Sequence, residues 1–154
     1  MQPTVSTPSA ELDAVRIHRA ELRESLNAFE RALAAPTPGR AVIWGEAVSS
    51  VLAVLADDFS EHIDVTEGEG GLYQAILSGD VRLANAVDAL KGEHGEIAGK
   101  IAELVAHADA PVMDADVPEI RERATRLLGH LVRHRQRGAD LIYEAYQTDI
   151  GGGD

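Results

Sequence analysis

Six histidines stand in a chain with no cysteine, and two of them, His130 and His134, lie four residues apart in the segment GHLVRHRQRGADLIYEAY. In a helix that spacing puts both imidazoles on one stripe. An inward histidine is either a hydrogen-bonded core residue or a metal ligand. With no thiolate available, a metal would be held by nitrogen and oxygen, a donor set that suits iron, zinc or manganese. The missing cysteines also exclude a disulfide framework and a thiol nucleophile. No catalytic group is expected beyond such a metal centre.

The elements that must position these histidines are helices. Leu12, Val15, Leu22, Leu26, Phe29 and Leu33 recur at helical spacing behind Thr7 and Pro8, which offer a cap and a first-turn proline. This predicts a helix over 8–34, ended by Pro36, Pro38 and Gly39. A second is expected over 40–65, with Val48, Leu52, Leu55, Phe59 and His62 inward. The glycines after Glu67 should end it, leaving a short extra helix over Leu72–Leu77. A third long helix is expected over 80–107. A fourth is expected over 117–147, entered through Asp116 and Glu119 as a capping-box variant and followed by a frayed GGGD tail. Four long helices with short connections predict an all-α antiparallel four-helix bundle with an additional short helix between the second and third long helices. The 154 residues fit one domain, with its core over about 8–147.

Five histidines could meet at one level of such a bundle. His94 lies 13 residues before the expected end of the third helix, and His130 and His134 lie 13 and 17 residues after the start of the fourth. His18 and His62 match more loosely, with a mismatch of six residues, or about 9 Å. His94 shares a face with Leu90 and Ile97, and His18 with Leu22, whereas His107 falls on another face. Burying five imidazoles without a shared partner would cost about 1–3 kcal/mol for each polar atom left unsatisfied, and metal ligation satisfies them together.

The remaining composition narrows the partners. The formal charge is −12, with no Lys/Arg run to track a phosphate backbone, so nucleic acid is not expected. The amino-terminal segment does not read as a secretory signal. No apolar stretch approaches the roughly 20 residues of a membrane span, so the reading is a soluble cytoplasmic protein without membrane contact.

One histidine on the first helix, a histidine closely followed by a carboxylate on the second, and histidines on the third and fourth resemble the hemerythrin-like, or HHE cation-binding, family over about residues 10–147. The stretches FSEHIDVTEGEGGLY and HRQRGADLIYEAYQTDIGG are similar to its mycobacterial and actinobacterial members. The resemblance implies two iron ions with an oxo or hydroxo bridge, held by His18, His62, Glu67, His94, His130 and His134. The family's acid usually comes four residues after the second-helix histidine; here Thr66 stands there and Glu67 follows, so Asp58 rivals Glu67 as the bridge. Asp58 is favoured as an acceptor orienting His62. Glu93 and Glu96 are expected to be solvated. Asp140 or Glu144 could replace a second carboxylate that the fourth helix lacks at its usual place. Open metal positions would favour catalase-like disproportionation of hydrogen peroxide, with dioxygen or nitric oxide as other partners. The alternatives are a sensor or binding protein for oxygen, nitric oxide or iron, and a metal-free interaction module.

Overall fold

The computed structural model describes residues 8–151, and side chains over 12–146. Thr7 and the last three tail residues lie outside that range. The described chain is all-α: α1 (Pro8–Ala34), α2 (Ala41–Glu67), the short α3 (Leu72–Gly79), α4 (Ala84–Ala108) and α5 (Val117–Gly151). Four helices are long and one is short. None of the described helices is long and apolar enough to cross a membrane.

Local chemistry accounts for the breaks. Gly39 (φ 69°) turns the chain between α1 and α2, and Gly70 (φ 73°) turns it between α2 and α3, both in the left-handed region that costs glycine least. A 3-10 turn, Val81–Leu83, precedes α4, so this helix starts later than the periodicity predicts. Asp80 is the cause: its carboxylate accepts from the Arg82 backbone N–H and from the Arg82 guanidinium, each at 3.0 Å. The capping box expected at the start of α5 is not formed by its two residues. Asp116 instead accepts from the Met113 N–H at 3.0 Å and closes a 3-10 turn ahead of α5, while Glu119 pairs with Arg123 one turn on. From α5, Arg121 donates to the Leu33 and Ala35 carbonyls at the end of α1, and its guanidinium lies over the Trp44 ring. One side chain thereby satisfies helix-end acceptors that lack partners of their own.

Two apolar clusters form the core. The larger joins Leu26 and Phe29 of α1, Leu52 and Phe59 of α2, Ile97 of α4 and Leu131 of α5; the smaller joins Tyr73 and Ile76 of α3 to Leu90 and Leu141. Each buried Leu or Phe contributes about 1.5–3 kcal/mol of transfer free energy. On α4, His94 falls between Leu90 of one cluster and Ile97 of the other, and on α5 His134 falls between Leu131 and Leu141. The histidines therefore sit at the seam.

Candidate metal centre

Three helices contribute one imidazole each at this seam: His62 from α2, His94 from α4 and His134 from α5. Ring centroids are 5.1 Å apart for His62 and His94, 5.6 Å for His62 and His134, and 4.6 Å for His94 and His134. His94 is 1% exposed and His134 4%. The Phe59 ring lies 5.7 to 6.1 Å from all three and closes the apolar side of the group. Tyr73 stacks on His94, with its hydroxyl 3.5 Å from Nε2.

Burial sets the protonation state. It lowers the His62 pKa to about 3, with further opposition from His94 and His134, and lowers that of His94 to about 4. His134 is lowered as well, again chiefly by burial, and the nearby Glu93 offsets only part of this. At neutral pH all three rings are uncharged and hold nitrogen lone pairs ready for a cation.

Two carboxylates orient the group. Glu67 Oε2 lies 2.7 Å from His94 Nδ1. A carboxylate only accepts, so Nδ1 carries the proton and the Nε2 lone pair is left over, the arrangement in which an acid fixes the tautomer of a metal-binding histidine. A glutamate at the last position of α2 is opposed by the helix dipole, and the bond to His94 offsets that cost. Glu93, 16% exposed, lies 3.5 Å from His134 Nδ1 and accepts from Arg137 at 2.8 Å. The contact to His134 is too long for a good hydrogen bond, and Nδ1 is buried without a partner among the described residues.

These residues fit a metal ion. One ligand atom from each imidazole lies within 4.8 Å of the others, and His62 Nε2 and His134 Nε2 are 3.4 Å apart. Two ligands on one cation, each bonded at about 2.1 Å, are separated by about 3.0–3.4 Å when adjacent. Ligation through the two Nε2 atoms would make His134 Nδ1 the N–H that faces Glu93 at 3.5 Å. Nitrogen and carboxylate donors suit iron, zinc and manganese alike.

The six residues expected at the centre are divided. His62, His94 and His134 meet, and Glu67 reaches His94. His130 does not join them: its Nε2 is 2.7 Å from Lys100 Nζ, in a surface groove between α4 and α5. The buried stripe of α5 runs through Leu127, Leu131 and Leu141, and His130 is rotated about 40° further from it than His134. Sharing a stripe was too coarse a criterion. His18 forms a separate, half-exposed group, with Nδ1 3.5 Å from both Glu21 and Glu61. Asp58 accepts from Ser25 of α1 and is thereby engaged on that helix. Thr66, where an acid was expected, is buried and donates back to the His62 carbonyl at 2.8 Å. Asp140 is exposed and bonded to Gln136, Glu144 is exposed, and His107 ends α4 at the surface.

Glu93, expected to be solvated, is instead held in the crevice between α4 and α5, because Arg137 draws it across; Glu96 is exposed as expected. Tyr73 and Phe59 had no role in the sequence reading of the site, although Phe59 stands one turn before His62 on the predicted inward stripe. The chain matches no family model, no curated protein and no solved structure.

Proposed function

We propose that this chain is a hemerythrin-like iron protein that disproportionates hydrogen peroxide. In this reading the four long helices form an antiparallel bundle, His62, His94 and His134 seat iron, and His18 serves a second iron on the α1 side. The observation that carries it is the meeting of three uncharged imidazoles from three helices, His94 and His134 buried and His62 half-buried, with the Nε2 atoms of His62 and His134 3.4 Å apart. Bound iron would supply the change of oxidation state by which peroxide acts as both oxidant and reductant.

The protein's own groups have separate tasks. Glu67 holds the His94 tautomer, and Glu93 stands beside His134 to steady its ring. Phe59 and Leu131 keep bulk water from the group. A cavity of about 30 Å³ beside His62 and His134 has room for a molecule the size of peroxide. Tyr73, stacked on His94 and kept protonated by burial, covers that ring with its hydroxyl 3.5 Å from Nε2.

The test is metal analysis of iron-supplied protein together with oxygen evolution from peroxide, beside chelated protein and free iron. Bound iron with evolution above the free-iron control is expected. Binding of less than half an iron per chain would overturn the metal reading. A stable reversible oxygen adduct without evolution would favour a binding protein instead.

A further inference from the structure

From Ala41 to Ala56 the only charged residue of α2 is Glu46. A helix that is apolar on all sides is ordinarily covered on all sides, yet among the described residues nothing covers one face of α2. Its buried stripe runs through Trp44, Val48, Leu52, Leu55 and Phe59, whereas on the opposite side Ile43 is 67% exposed and Val54 54%. The outward faces of the other long helices are charged instead, with Arg23 and Glu24 on α1, Asp88 and Lys91 on α4, and Glu122 and Arg126 on α5.

The uncovered stripe consists of Arg40, Ile43, Ala47, Ser50, Val54 and Asp57, all exposed. Its steps of three, four, three, four and three residues are those of a coiled-coil seam, and they read the same in both directions. Turned end for end, the stripe therefore fits itself: Arg40 meets Asp57 of a second copy, Ile43 meets Val54, and Ala47 meets Ser50. The central pair is small and lets the two backbones approach. The end pairs are opposite in charge, and among the described residues neither the Arg40 nor the Asp57 side chain has a hydrogen bond or an ion pair.

We propose that this face binds a second copy of the chain, through an antiparallel contact of α2 with α2 about a two-fold axis at the level of residues 48 and 49. Charge order sets the occupant. A partner must bring an anion to Arg40, a cation to Asp57 about 26 Å along the helix, and apolar groups between them, and α2 itself supplies all three. One helix pair of this length buries on the order of 1,000 Å² in total, at the low end of specific interfaces, so the dimer is weak and concentration-dependent. The contact lies on the side of α2 opposite its buried stripe, goes beyond the iron reading and is independent of it.

The test is sedimentation equilibrium of the full-length protein from about 1 μM to about 1 mM, with and without a chelator. A monomer–dimer equilibrium is expected, the same in both conditions. Arg40→Asp and Asp57→Arg each turn two attractive end pairs into two repulsive ones and should weaken dimerisation about tenfold or more. Asp57→Arg also removes two units of the chain's −12 charge, which by itself would favour association, so weakening identifies the pair rather than the net charge. The double variant Arg40→Asp with Asp57→Arg restores both pairs and should dimerise within about threefold of the wild type, and an equimolar mixture of the two single variants should form mixed dimers. Val54→Glu, which sets a carboxylate against Ile43, should abolish the dimer, whereas Lys91→Glu on the exposed face of α4 should leave it unchanged. All these positions are exposed, so the variants should keep the wild-type circular dichroism. A chain that stays monomeric throughout, a dimer that survives Val54→Glu, a dimer lost on chelation, or a double variant that dimerises no better than the single ones would overturn the proposal.

Discussion

Taking chelated protein from about pH 7.5 to about pH 5.5 should remove about 3 kcal/mol of its stability. Burial holds His62 at about 3 and His94 at about 4, below the ordinary histidine value near 6.5 that applies when the chain unfolds. Between these values the unfolded chain binds more protons than the folded one, so stability rises with pH. The contribution is fully present above about pH 6.5 and is lost as pH falls below it, until the folded protein itself takes up protons near pH 4 and 3. At about pH 5.5 an unfolded histidine is about nine-tenths protonated, which is worth about 1.4 kcal/mol per group, or about 3 kcal/mol for the pair. His134, shifted in the same direction, adds to the loss. Urea unfolding followed by circular dichroism at both pH values measures the difference directly. In His62→Gln the drop should shrink by about 1.4 kcal/mol. A stability that is flat across this window, or a drop of wild-type size in His62→Gln, would refute the claim that these imidazoles are buried uncharged.

Three further outcomes follow from the same geometry. His134→Ala should lower metal content in iron-supplied protein while His130→Ala leaves it near wild type, because only His134 belongs to the buried group; equal losses by metal analysis would reverse that assignment. Glu67→Gln should weaken metal retention about 10 to 100-fold in a chelator competition, as loss of a histidine-orienting carboxylate does, and Asp58→Asn should not, since its partner is Ser25. In Gly45→Ala the new Cβ would stand 2.5 Å from Val112 Cγ2, so overpacking should cost about 1–3 kcal/mol, read as a lowered Tm with unchanged metal content.

Much of the helical framework was legible in the chain. Apolar spacing from Leu12 to Leu33 and the breakers Pro36, Pro38 and Gly39 set α1 at 8–34, as expected. The glycines after Glu67 likewise separated α2 from the short α3. These are local effects, in which side-chain periodicity chooses the buried face and backbone chemistry chooses the stops. The start of α4 was misplaced because the Asp80–Arg82 bonds that tighten the preceding turn depend on side-chain geometry, which periodicity does not encode.

The candidate site was legible only as a list of histidines. Sequence alone determined which residue types were available, that no thiolate was among them, and which helix carried each imidazole. Tertiary packing decided which of them meet. His130 and His134 differ by about 40° around one helix, and that rotation separates a lysine contact at the surface from a place beside His62 and His94. Glu93 became part of the site because Arg137, 44 residues away, reaches it across two helices. Periodicity specifies a direction within one helix, whereas a ligand set depends on distances between helices, and those are fixed only when the side chains of every packed face are fitted together.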